Sequence, residues 1–111
     1  APGAILTLYL NAYGPVWTDP EDQLEQTEIA IQADIDAGYF ENIYVSQMND
    51  ATRREALLNL ISVYENEYNV IITIDSLVAR QGILYDFVFM ITASDQTTSS
   101  ISGTATFTTN Q

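Results

Sequence analysis

The sequence predicts one α/β (α+β) domain, a mixed sheet carrying two helices mainly on one face. Three observations predict it. Two stretches, 19–37 and 49–68, open on helix-start residues and carry helical spacing, and they interrupt shorter runs of strand periodicity. From residue 69 onward only strand periodicity remains, in three runs divided by turn residues. Hydrophobic residues make up 47% of the 111, enough for one core and too many for an acidic disordered tail. The elements follow in the order β-α-β-α-β-β-β across a single domain, 1–111.

Residues Ala4 to Leu10 alternate and read as a strand. Asn11 to Thr18 contain Gly14 and Pro15 and read as a loop. The run Asp19-Pro20-Glu21-Asp22 starts a helix. Asp19 can cap it, Pro20 fits the first helical position, and the acids sit where the helix dipole is positive. Gly38 can stop it. The interior carries two periodicities. Ile29, Ile31, Ala33 and Ile35 alternate as in a strand, while Leu24, Ile31 and Ile35, with Ala30, form a helical stripe. Ala, Gln and Glu favour helix. A strand over 20–37 would instead make the chain mostly β and reorder the sheet.

Asn42 to Gln47 form a short strand through Ile43, Tyr44 and Val45. Asn49 or Asp50 then caps a second helix reaching Tyr68, with the face Leu57, Leu58, Ile61, Tyr64 and Tyr68. Asn69 to Asp75 form a strand with Val70, Ile72 and Ile74 on one side. Ile83 to Thr92 is apolar on both faces, which predicts a central strand covered on both sides. Asp86 interrupts it, and Arg80 across the hairpin is its expected partner. Ile101 to Thr109 carries a polar face of Ser102, Thr104, Thr106 and Thr108, opposite Ile101, Ala105 and Phe107. Nine of the seventeen residues from Asp95 are Ser or Thr, but this alternation argues for a half-exposed strand and against a linker. The two β-α-β units are expected as right-handed crossovers with locally parallel pairs. The last three strands are expected as an antiparallel meander, with hairpins at Asp75–Gly82 and Ala93–Ser100.

Composition excludes more than it assigns. There is no Lys, His or Cys, and Arg53, Arg54 and Arg80 face fifteen acids, for a net charge of −12. The charged fraction is 16%, against about 25% in ordinary domains, and the shortage is basic. Nucleic-acid affinity comes largely from cationic side chains, so direct nucleic-acid binding is not expected. Anionic membrane surfaces are disfavoured for the same reason. No apolar run reaches the ~20 residues that span a bilayer, and no signal peptide is legible. Thiolate and imidazole metal sites are excluded, and no familiar base stands ready to activate a hydroxyl. No Gly-rich phosphate loop is present.

Asp19, Glu21 and Asp22 could offer oxygens to Ca²⁺, but helix capping accounts for all three. Asp34 and Asp36 are expected on a solvated face. Fifteen acids make chance carboxylate pairs inevitable, so spacing singles out none. No catalytic, cofactor-binding or metal residue is assigned, and no cofactor is expected. Aromatics gather at Tyr9, Tyr13 and Trp17, and again at Tyr39, Phe40 and Tyr44; such residues serve interfaces or complete cores.

The expected function is a non-enzymatic structural or assembly subunit, a virion component of the capsid-associated or tail kind. It would act through protein partners as a homo-oligomer or larger assembly, at the virion or outside the cell. A saline setting would suit its charge. The candidate interaction residues are Tyr9, Tyr13, Trp17, Ile101, Thr104 and Phe107. Two other classes remain open. One is an acidic DNA-mimic inhibitor using the acids between Asp19 and Asp36. The other is a hydrolase using a carboxylate pair.

Overall fold

The computed structural model describes residues 18–110. They form two helices, α1 (Pro20–Asp36) and α2 (Asp50–Tyr68), and four strands: β1 (Ile43–Tyr44), β2 (Ile71–Gln81), β3 (Leu84–Thr92) and β4 (Thr98–Thr108). The sheet order is β1-β4-β3-β2. The β2–β3–β4 meander is antiparallel, and β1 lies parallel to the end of β4. The mixed sheet, the two helices on one face and the terminal meander are as the sequence predicts. The predicted strand Ala4–Leu10 lies outside the described residues.

Segment 20–36 is helical, which resolves its two periodicities. The Asp19 carboxylate accepts the Glu21 N–H at 3.0 Å, and Pro20 occupies the first turn. The buried positions are Gln23, Thr27 and Ile31, spaced by four, with Leu24, Ala30 and Ile35 on the flanks. Ile29, which belongs to the alternating pattern, is 54% exposed. Gly38 follows the helix at φ +89°, a conformation open to glycine. In α2 the Asn49 side chain accepts the Thr52 N–H at 2.8 Å, and Asn69 ends the helix in the left-handed region. Leu57, Ile61, Tyr64 and Tyr68 face inward as expected. Leu58 does not; it lies one step, about 100°, round the helix from Leu57 and is 46% exposed. Ala56 and Leu60 pack the flank in its place.

β2 is longer than the sequence suggests. It continues past Asp75 to Gln81, with register shifts around Asp75 and Arg80. Each shift places two residues opposite one and reverses which parity faces the helices. Ile72 and Ile74 therefore point inward before the first bulge, and Leu77 after it. A simple alternation cannot survive such a bulge, which is why the sequence pattern ends at Asp75 while the strand continues. β1 also differs from expectation: its parallel neighbour is β4, so the chain through α2 crosses the whole sheet before β2 begins.

The core lies between the helices and one sheet face. Phe87 and Phe89 stack with centroids 4.3 Å apart, and Phe40 tilts against both at 5.3 and 6.2 Å. Ile91, Ala105 and Phe107 complete the sheet side. β3 is central by pairing, yet its second face is not covered by any described element: Met90 is exposed and Val88 half-buried. Its apolar residues there reflect strand propensity as well as burial. Gly103 sets the closeness of α1 to β4, because a Cβ there would lie 2.8 Å from both Ile35 Cδ1 and Phe87 Cζ.

The helices are also tied by a polar contact. Tyr64 of α2 donates its hydroxyl to the Asp34 carboxylate of α1. Asp34 is thus half-buried between helices rather than on a solvated face; Asp36 is exposed as expected. Burial first, then the hydrogen bond and charge of Asp34, push the Tyr64 hydroxyl well above its ordinary 10.0. Burial first, then the hydrogen bond with Glu67, push Tyr68 up to about 12. Both folded values lie above the unfolded value, so this stabilisation is whole below pH 10.0 and is lost as pH rises towards the folded values. Thermal unfolding is expected to be insensitive to pH just below 10.0 and to occur at falling temperature above it, less steeply in Tyr64→Phe. Identical slopes for the two proteins would contradict the assignment.

Candidate interaction surface

β4 is bonded on its inner side to β3 along its full length. Its outer side is different. The Thr106 N–H donates to the Phe40 carbonyl at 3.0 Å, and the Thr108 carbonyl accepts the Val45 N–H at 2.8 Å. The Thr106 hydroxyl accepts the Asn42 N–H at 2.7 Å. β1 and the residues before it therefore cover only the last part of the edge. Strand alternation aims the N–H and C=O of Thr98, Ser100, Ser102 and Thr104 outward like those of Thr106. Among the described residues, no strand pairs with these four.

Edges like this one are usually blunted by charge, proline, bulges or a covering element. The opposite edge, β2, shows several such devices. It bulges twice, carries Asp75 and Arg80 at those bulges, and has the outward Ile72 N–H capped by the Glu65 carboxylate at 2.9 Å. Arg80 meets Asp86 through two contacts, 2.7 and 2.9 Å, the structural pairing the sequence predicts. Among the described residues, the stretch of β4 from Thr98 to Thr104 has none of these. All fifteen acids and all three arginines lie between Asp19 and Asp95, so β4 has no charged residue in a chain of net charge −12.

Beside the open edge, on the helix side, runs a groove of ≈ 500 Å³ lined by Glu28, Ile29, Gln32, Ala33, Asp36 and Ile101. Its floor is apolar and its rim acidic. The turn that leads into the edge is held by Asp95, whose carboxylate accepts the N–H of Thr97 at 3.0 Å and also its hydroxyl. These bonds hold the Asp95 carboxyl below its ordinary range. At the same end, the Gln23 side-chain oxygen accepts both the N–H and the hydroxyl of Ser94 at 3.0 Å, anchoring the start of α1 to the β3–β4 turn.

The sequence-predicted interaction residues separate accordingly. Ile101 and Thr104 lie together on the open edge, Ile101 towards the groove and Thr104 towards the outer face. Phe107 is 1% exposed, edge-on to Tyr85 at 5.5 Å, and belongs to the core; its backbone lies opposite Ile43. Tyr9, Tyr13 and Trp17 lie outside the described residues. In the second aromatic group Phe40 is core, while Tyr39 and Tyr44 are exposed. Sequence reasoning missed Ile29, because the helical stripe and the alternating pattern both claim its neighbours. It also missed Gln23, since nothing in the sequence links it to Ser94.

Asp19 is engaged as a cap, and among the described residues no three acidic side chains converge closely enough to hold a metal ion. No described helix is long and apolar enough to cross a membrane. No family model matches the chain, and no curated protein or solved structure matches it.

Proposed function

We propose that this chain is a non-enzymatic structural subunit of a protein assembly, of the kind that builds the capsid or tail of a virion in a saline or extracellular medium. The observation that carries the reading is the uncharged edge of β4, left unpaired from Thr98 to Thr104 by every described strand, on an otherwise strongly acidic body. An exposed edge recruits another strand through main-chain hydrogen bonds, which need no special side chain. The want of Lys, His and Cys supports a role in contact rather than in chemistry.

Salt sets the expected behaviour. At −12 each copy repels the next, and the repulsion reaches about 10 Å at 0.1 M salt but about 3 Å at 1 M. Light scattering behind a sizing column is expected to give a mass above one chain in molar salt and a smaller mass in dilute buffer. A single-chain mass at both salts would count against self-assembly.

A second reading has one observation of its own. Glu21, Asp22, Glu25 and Asp36 are all exposed on α1, an acidic strip that could fill a basic nucleic-acid groove. That role would weaken as salt rises, the opposite trend, so the same titration with a basic partner separates the two.

A further inference from the structure

We infer that the strand which fills the Thr98–Thr104 edge is the chain's own segment Ala4–Leu10, running antiparallel to β4 with Leu8 opposite Ile101. Which copy supplies the segment rests on the assembly reading; that this segment is the occupant does not.

Charge and pattern select it. The groove beside the edge has an apolar floor and a rim of Glu28 and Asp36 in a chain of net charge −12, so an acidic occupant is repelled. No charged side chain precedes Asp19. Among the runs with strand periodicity, Ala4–Leu10 is the one that the described sheet does not contain. It has seven residues, as does the stretch from Thr98 to Thr104. Leu6, Leu8 and Leu10 make one row of it, and Ile5, Thr7 and Tyr9 the other.

The direction follows from α1. Gln23, near its start, is bonded to Ser94, and Ile35, near its end, closes on Gly103. α1 therefore runs the same way as β4 and begins at the Thr98 end. The eight residues 11–18 reach up to about 26 Å, against the ~10 Å that separates packed layers. A segment leading into α1 from that end runs back along β4, antiparallel to it. Exchange between copies keeps the same contacts, because a swapped element makes in its neighbour what it makes at home.

Side-chain parity sets the register. Ile101 points to the groove, and directly opposed residues share a face. With Leu8 opposite Ile101, Leu6 and Leu10 also enter the groove and cover Ile29, which the described residues leave 54% exposed. The pairs Ile5–Thr104, Thr7–Ser102, Tyr9–Ser100 and Asn11–Thr98 then exchange about eight backbone hydrogen bonds. A slip of one residue would turn the leucines to the outer face. Gly3 falls opposite Thr106, whose N–H is already given to Phe40, and Pro2, which has no N–H, ends the strand there.

The chain has no cysteine, so introduced thiols are unique. Leu8→Cys combined with Ile101→Cys in the full chain is expected to form a disulfide under mild oxidation in molar salt. Opposed Cα atoms at such a non-hydrogen-bonded pair lie about 4.5 Å apart, within disulfide range. Leu8→Cys combined with Val78→Cys, on β2, is the control and should remain largely unlinked. A link between two chains supports the inference and the assembly reading together. A link within one chain supports the inference and removes assembly through this edge. Linking in the control pair as readily as in the Leu8–Ile101 pair would overturn the inference. Leu8→Glu tests it without a thiol, by placing a carboxylate between Glu28 and Asp36. The Ser100, Ser102 and Thr104 amides, protected in the wild type in molar salt, should then exchange at least about tenfold faster. Those of Ile101 and Gly103 should stay protected by β3. Exchange that Leu8→Glu leaves unchanged would overturn the inference, as would wild-type amides at the three positions that are unprotected at every concentration.

Discussion

Phe89→Ala is expected to remove about 3–5 kcal/mol of folding stability, the range for truncating a fully buried aromatic ring. Phe89 is completely buried, stacks on Phe87 at 4.3 Å, and lies opposite Ile74 on one neighbouring strand and Ile101 on the other. No backbone shift can close that space without moving all three strands, so the cavity persists. Small domains hold about 5–15 kcal/mol in total, so the variant should be partly unfolded or close to it. Val88→Ala is the matched control. Val88 is the next residue, on the face no described element covers, and its truncation should cost well under half as much. Urea titration measures both. Equal losses would mean that the helices do not pack on the Phe87–Phe89 face.

The second large effect separates assembly from folding by placing proline at two nearby sites. Thr104 and Ile101 differ in parity, so their N–H groups point opposite ways. That of Thr104 faces the open edge, and that of Ile101 faces β3. Thr104→Pro removes an outward donor and leaves the β3 ladder intact, a position where sheets tolerate proline. It should fold and fail to associate. Ile101→Pro removes a ladder bond and leaves a buried partner unsatisfied, at a cost of about 1–3 kcal/mol, and the ring crowds the neighbouring strand as well. Its main defect should be in stability. Circular dichroism with light scattering reads the two outcomes separately. A folded Thr104→Pro protein that associates normally would remove β4 from the account.

Much of this architecture is legible from local chemistry. Asp19 and Pro20 mark the start of α1, and Asn49 the start of α2, because caps are written in one or two residues. The alternation of Ser and Thr with Ile101, Ala105 and Phe107 identifies β4 and its two faces. The Arg80–Asp86 pair follows from a charge placed within an apolar strand. Other features depend on distant parts of the chain and leave no local trace. The bulge at Asp75 hides half of β2, because its parity reversal breaks the pattern by which strands are recognised. The parallel pairing of β1 with β4 joins segments far apart in sequence. Gln23 looks like an ordinary polar helix residue until Ser94 is brought to it.

The candidate surface divides in the same way. Ile101 and Thr104 can be chosen from the sequence because a half-polar strand at the end of a meander is an edge candidate. Phe107 shares that strand but is buried at its far end, where β1 covers the edge. Only the sheet order distinguishes the open portion of β4 from the covered one. Ile29 acquires meaning once α1 is seen to lie along that open portion, held close by Gly103.

The most direct test of the central claim is amide hydrogen exchange at Ser100, Ser102 and Thr104 in molar salt, followed as protein concentration rises. The account predicts slow exchange at these three amides when the chain is associated and fast exchange when it is dilute, with the Ile101 and Gly103 amides protected throughout by β3. Association that leaves Ser100, Ser102 and Thr104 exchanging as quickly as in the dilute chain would contradict it.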